Sequence, residues 1–131
     1  MIVTDLLAHE DCNIFGVDWS DLVGLDYFAA AQISLKVGTH IGAFLAKFGI
    51  LGLEGNNIHV IGHSLGAQAS GHLGREFQRV TGFKIGRISG LDPAKPLFDI
   101  VNESVRLNKN DAIFVDIMHT NSGNLEHVRY K

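Results

Sequence analysis

The sequence is poor in three features that each define a class of protein: paired cysteines, long apolar runs and clustered basic residues. Its single cysteine, Cys12, has no partner in the chain, so no internal disulfide can form. No stretch approaches the roughly 18 consecutive apolar residues of a transmembrane segment. The 11 Lys and Arg residues are scattered and the net charge is −3, which is not typical of a nucleic-acid-binding surface. The N-terminus lacks the charged start and apolar run of a secretory signal. We therefore expect a soluble chain without a targeting segment.

The hydrophobic pattern predicts an α/β fold. The 131 residues are 46% hydrophobic, enough for one domain with a buried core, and we assign 1–131 to a single domain. Apolar residues recur at helical spacing over 27–48. The expected strands, with helices between the first three, are 13–18, 58–62, 85–91 and 112–118. Strands that alternate with helices favour a parallel sheet.

A Gly-x-Ser-x-Gly pattern at 62–66 is the main functional signal. A short apolar strand leads into it and a helix rich in small residues follows, which is the context of a nucleophile elbow. Ser64 is the candidate nucleophile, in a strained backbone conformation. We expect Gly62 and Gly66 to be required because a Cβ at either would collide where strand and helix cross. The small residues of the helix predict close packing on the sheet.

A serine nucleophile needs a base and an acid that orients the base. In this architecture the acid and then the histidine follow the serine along the chain. Asp92 ends the expected strand 85–91, because Pro93 stops it, and is the favoured acid; Asp116, inside a strand, is the alternative. The two histidines after Asp92 are His119 and His127.

Three motifs together resemble the animal pancreatic-lipase family, which includes triacylglycerol lipases and phospholipases A1. They are Gly-His-Ser-Leu-Gly-Ala at 62–67, Ile-Ser-Gly-Leu-Asp-Pro-Ala at 88–94 and Phe-Val-Asp-Ile-Met-His-Thr at 114–120. The similarity runs from about residue 12 to residue 120. The resemblance implies an α/β-hydrolase fold, with a mostly parallel sheet and flanking helices, from which the family's N-terminal strands and lid region are missing.

The resemblance assigns the catalytic residues by motif. Ser64 matches the nucleophile, Asp92 the acid, and the backbone N–H of Leu65 one oxyanion donor. His127 matches the base through the pattern His-x-Arg at 127–129, whereas the family's His-Thr pair, here at 119–120, is not the catalytic histidine. The sequence departs from the family in two ways. Only seven residues separate the two histidines where the family has a lid, and the His-Gly motif of the second oxyanion donor is absent.

The resemblance also implies a structural Ca²⁺ site on the loop after Asp92. The family's ligand positions fall on Glu103, Arg106, Asn108 and Asp111, with the arginine serving through its carbonyl. Asn108 stands where the family has a carboxylate, which removes one charge. The alternative is a merely polar loop.

Together the motifs and the resemblance predict a lipase-like ester hydrolase that acts on lipid acyl esters at an interface, either triacylglycerol or the sn-1 ester of phospholipid. The resemblance alone implies that the protein is secreted, since members of the family are. The short connection in place of a lid favours phospholipid. One alternative is a catalytically impaired chain that binds lipid or a protein partner. Another is a fragment without an independent role, with exposed sheet edges.

Overall fold

The computed structural model describes residues 2–22, 26–49 and 51–120, and all structural statements concern these residues. Three helices and three strands form the fold, with single 3₁₀ turns at Ser20–Leu22 and Gly55–Asn57. In chain order they are α1 (Ile2–His9), α2 (Tyr27–Gly49), β1 (His59–His63), α3 (Leu65–Thr81), β2 (Arg87–Leu91) and β3 (Phe114–Met118).

The three strands form a parallel sheet in the order β1-β2-β3. Their last residues, His63, Leu91 and Met118, lie side by side in the register. The residues that follow each strand therefore meet at one edge of the sheet, where ligands bind in α/β folds. This arrangement confirms the predicted α/β class with a parallel sheet.

One face of the sheet packs against α3 and forms the main core. Ile88, at the centre of β2, is fully buried, and Phe77 of α3 is 1% exposed. Val60 and Val115, the register neighbours of Ile88, complete the apolar layer beneath the helix.

Helix α2 packs on α3 through small residues. A Cβ at Gly38 would lie 2.1 Å from the carbonyl oxygen of Ala69, and one at Gly42 would lie 2.5 Å from that of Leu73. The backbones of the two helices thus approach too closely for any side chain at these positions. The helix predicted over 27–48 is confirmed. Its bulky residues, however, do not form the buried face, since Phe44 is 51% exposed.

The strand predicted at 13–18 is wrong. These residues form no regular structure, and the side chains of Phe15 and Val17 are 75% and 52% exposed. Their apolar pattern makes a strand possible, but a strand also needs a neighbour for its backbone hydrogen bonds. The strands predicted at 85–91 and 112–118 are present with later starts, at Arg87 and Phe114.

Candidate active site

Ser64 forms a sharp turn between β1 and α3. Its backbone angles are φ 54° and ψ −118°, a conformation that L-residues rarely adopt and that costs on the order of 1–3 kcal/mol. Its N–H donates to the carbonyl of Leu91 at 2.9 Å, and its carbonyl accepts the N–H groups of Ala67 at 3.1 Å and Ala94 at 3.2 Å. The turn is therefore held by the end of β2 as well as by its own helix.

The two glycines beside Ser64 differ in their surroundings. A Cβ at Gly62 would lie 2.3 Å from the carbonyl oxygen of Gly66 and 2.5 Å from Oγ of Ser70. At Gly66, apart from its chain neighbours and the adjacent backbone of α3, no atom of the described residues lies within 4 Å of the position of a Cβ. The expectation that crowding requires glycine is confirmed at Gly62 and wrong at Gly66, because the strand crosses the helix beneath Gly62 only.

Asp92 follows β2 and lies beside the elbow. The Ser64 N–H bonds to Leu91, the residue before Asp92, while the Asp92 N–H donates to the carbonyl of Met118 at 2.8 Å. Asp92 also has a positive φ, 41°, so both this residue and Ser64 leave their strands through strained turns. The carboxylate accepts the Thr120 N–H at 2.6 Å and, on its other oxygen, the Thr120 hydroxyl. The ends of all three strands are thereby bonded to one another.

Asp116 lies within β3 and is bound to other residues of the sheet. Arg87 donates to its two carboxylate oxygens at 2.8 and 3.0 Å, and the Ser89 hydroxyl donates at 2.9 Å. The hydrogen bond from Arg87 lowers the pKa of Asp116. His59 lies 2.9 Å from the same hydroxyl through Nε2. These contacts fit a structural role for Asp116 better than the role of a catalytic acid.

Leu65 is the first residue of α3. Its backbone N–H therefore has no carbonyl partner within the helix, and it lies at the positive end of the helix dipole. Its side chain packs on an apolar cluster that contains Ala94 and Phe98. Next to Ser64, the backbone N–H of Leu65 therefore lies at the start of α3, and the Leu65 side chain belongs to an apolar cluster.

The two histidine candidates are not equally described. His127 lies within 121–131, outside the described residues, so its role as the base remains a prediction. His119 directly follows β3 and precedes Thr120, the residue that holds the Asp92 carboxylate.

The four predicted calcium ligands lie on one loop, but Arg75 already contacts two of them, Arg106 and Asp111. The buried Asp111 carboxylate accepts Nη1 of Arg75 at 2.7 Å and the Asn108 N–H at 2.7 Å. Burial raises the pKa of Asp111, and the charge of Arg75 opposes that rise. The carbonyl of Arg106 also accepts from Arg75, at 3.3 Å, while the exposed Glu103 contacts the Arg106 side chain. The oxygen donors suit calcium in type, and Asp111 would be shared with Arg75.

Within the described residues, no three His, Cys, Asp or Glu side chains lie together in a position to hold a metal. The predicted set has only two residues of these types and otherwise uses a carbonyl and an amide. The calcium site therefore remains a prediction.

Two residues that bind the loops around the site were missed by the sequence reasoning. Gln68 on α3 is fully buried; its amide donates to the carbonyl of Ala94 at 2.7 Å and accepts the Leu107 N–H at 2.8 Å. It connects the segment after Asp92 to the predicted calcium loop. A polar side chain among the small residues that face the sheet is the signal that could have identified it. Thr120 was noted only as part of the His-Thr pair.

The fold and the site define a class of protein. A parallel sheet, a serine in a strained strand-to-helix turn and an aspartate after the next strand are features of the α/β-hydrolase class. Within the described residues, no helix has the length and apolarity needed to cross a membrane.

Comparison with known proteins identifies the family. The family model described as Lipase matches residues 1–129, and the chain belongs to this family, as the sequence motifs predicted. Pancreatic lipase-related protein 2 of Bos taurus is 41% identical over 117 residues, which are 88% of this chain and 24% of that protein. Pancreatic triacylglycerol lipase of Homo sapiens is 42% identical over 120 residues, 91% of this chain and 25% of that protein.

A second kind of relative has a slightly lower identity to the chain. Phospholipase A1 member A of Bos taurus is 38% identical over 120 residues, which are 92% of this chain and 25% of that protein. The chain thus spans about a quarter of the length of these curated relatives.

Proposed function

We propose that this chain is a serine ester hydrolase that acts on lipid acyl esters at an interface, either triacylglycerol or the sn-1 ester of phospholipid. The observation that carries the proposal is the backbone of Ser64, held at φ 54° by hydrogen bonds from two directions. Strained backbone of this kind persists at sites where function requires it. The names of the relatives, triacylglycerol lipase and phospholipase A1, support the two substrate classes.

The proposed mechanism has two steps. In the first, Ser64 Oγ attacks the acyl carbonyl carbon while His127 takes the hydroxyl proton, and Asp92 orients the imidazole. The Leu65 N–H stabilises the oxyanion, and His127 returns the proton to the departing alcohol oxygen. In the second, His127 takes a proton from water, the hydroxide attacks the acyl-serine, and the fatty acid leaves as Ser64 regains its proton.

Two further properties belong to the proposal because the family resemblance implies them. One is a secreted, extracellular location. The other is a weak structural Ca²⁺ site at Glu103, Arg106, Asn108 and Asp111, in which the metal would supply positive charge to the loop next to the acid. The oxygen donors on this loop support it.

Hydrolysis of short and long acyl esters by the 131-residue chain tests the proposed function. We expect Ser64→Ala to abolish hydrolysis, since the nucleophile is lost, whereas Ser20→Ala, at an exposed serine, serves as the matched control and leaves it unchanged. Equal activity in wild type and Ser64→Ala would reject this site. A wild-type chain that binds lipid vesicles without hydrolysing either ester would favour a catalytically impaired lipid-binding protein instead.

The base is tested separately with the two histidines that follow Asp92. We expect His127→Gln to slow hydrolysis by at least about 100-fold, the usual contribution of a general base, and His119→Gln to have a smaller effect. The reverse order would assign the base to His119.

A further inference from the structure

Thr120 binds both oxygens of the Asp92 carboxylate. Thr120 donates its backbone N–H to Oδ1 at 2.6 Å and its hydroxyl to Oδ2. The Asp92 N–H in turn donates to Met118, so three hydrogen bonds join Asp92 to the end of β3. Because the two donors of Thr120 reach different oxygens, they fix the rotation of the carboxylate plane as well as its position.

The pairing of an aspartate with the histidine of a serine hydrolase depends on that rotation. The acid of a serine hydrolase acts by accepting an imidazole N–H in a fixed direction, which sets the tautomer and orientation of the base. Hydrogen bonds to a charged carboxylate are also stronger than those between neutral groups. The Asp92 carboxylate is half-buried on a strained turn, and the two donors of Thr120 restrict its rotation there.

We propose that Thr120 is the positioning residue of the catalytic acid: it orients the Asp92 carboxylate toward the base. The inference rests on the proposed function, because that function gives Asp92 its role as the acid. To the proposed residues the inference adds Thr120, which acts through Asp92 and does not touch the substrate. The contact is possible because the register places Met118 beside Leu91, so the residues that follow β2 and β3 lie within reach of each other.

The two donors of Thr120 can be separated by substitution. Thr120→Val keeps the shape of the side chain and the backbone N–H but removes the hydroxyl, whereas Thr120→Ser keeps the hydroxyl. We expect the valine variant to lower kcat by about 10- to 100-fold, the loss of one hydrogen bond to a charged group, with KM unchanged. The serine variant should recover kcat to within about threefold of wild type.

The pH profile distinguishes positioning from a merely structural role. A correctly oriented Asp92 carboxylate stabilises the imidazolium form of the base, so a misoriented one stabilises it less. In Thr120→Val the limb of the kcat/KM profile that reports the base should therefore move to lower pH, and Thr120→Ser should restore it. A valine variant with wild-type kcat and an unmoved limb would overturn the inference.

An NMR measurement separates the inference from the proposed function. The amide proton of Thr120 should change its chemical shift as the Asp92 carboxyl titrates, and Asp92→Asn should remove that change. If the shift does not depend on Asp92, the hydrogen bond is absent and the inference fails, whatever the activity. If the wild-type chain hydrolyses no ester but keeps the Asp92-dependent shift, the proposed function and the positioning role fail while the contact itself stands.

Discussion

Replacing Gly62 with alanine is expected to displace the elbow and destabilise the fold. The new Cβ would lie 2.3 Å from the carbonyl oxygen of Gly66, 2.6 Å from its carbonyl carbon and 2.5 Å from Oγ of Ser70. Two of these atoms belong to the backbone of the first turn of α3, so a change of rotamer cannot relieve the contact. Overpacking costs about 1–3 kcal/mol, and rigid backbone atoms favour the upper end of that range.

Gly66→Ala is the matched control, four residues away in the same elbow. Apart from its chain neighbours and the adjacent backbone of α3, no described atom lies within 4 Å of its Cβ position, and Gly66 has helical backbone within α3. Alanine is favoured over glycine in a helix by about 0.5–1 kcal/mol, so this variant should be slightly more stable than wild type. The two substitutions add the same methyl group and should change stability in opposite directions.

Thermal unfolding followed by circular dichroism measures the difference. For a chain of this size, each kcal/mol corresponds to a shift of about 4 °C in Tm. We expect Gly62→Ala to lower Tm by roughly 4–12 °C and Gly66→Ala to raise it by roughly 2–4 °C. If the two variants lowered Tm by the same amount, the crossing of strand and helix described here would be wrong.

Three further predictions concern the charged and titratable groups around the site. Arg75→Met should destabilise the chain by about 2–4 kcal/mol in denaturant unfolding, because it leaves the buried Asp111 carboxylate without the guanidinium that pairs with it. Arg79→Met, at an exposed ion pair, is the matched control and should change stability far less. Burial lowers the pKa of His72, whose Nε2–H donates to Val105 at 2.9 Å, so the folded chain binds fewer protons there than the unfolded chain. The stability that the neutral His72 imidazole contributes should therefore be present above about pH 6.5 and be lost as the pH falls. In unfolding experiments from pH 7.5 to about pH 5, His72→Gln should reduce the dependence of the free energy of unfolding on pH. If the proposed site binds Ca²⁺ with a Kd near 1 mM, about 10 mM CaCl₂ should raise the stability by about 1.4 kcal/mol over EGTA in thermal unfolding, and Asp111→Asn should remove the increase.

Each of these predictions has an outcome that contradicts it. Equal losses in Arg75→Met and Arg79→Met would mean that Asp111 does not depend on its ion pair. A pH dependence identical in wild type and His72→Gln would show that His72 stays solvated in the folded chain. An unchanged Tm in CaCl₂ would argue for a merely polar loop.

The elbow could be predicted from sequence because its determinants are local. Ser64, its flanking glycines and the following helix lie within a few residues, and the strain at Ser64 follows from a turn that the motif describes. The position of Asp92 directly after β2 was predictable for the same reason, since Pro93 prevents the strand from continuing. The crowding at Gly62, but not at Gly66, depends on where the helix crosses the strand, and the motif does not contain that information.

The remaining features depend on pairing between distant segments. Residues 13–18 have the composition of a strand, but no local pattern states which neighbour would bond to them. The contact between Thr120 and Asp92 follows only from the register of β2 and β3, across 28 residues of sequence. Gln68 likewise bonds to residues 26 and 39 positions away.

Reaction with a fluorophosphonate probe, followed by peptide mass spectrometry, tests the central claim most directly, because the probe bonds to an activated serine and requires no particular lipid. The account predicts one adduct, on the peptide that contains Ser64, and no adduct in Ser64→Ala. An adduct on another residue, or an unmodified Ser64 in folded wild-type chain, would contradict it.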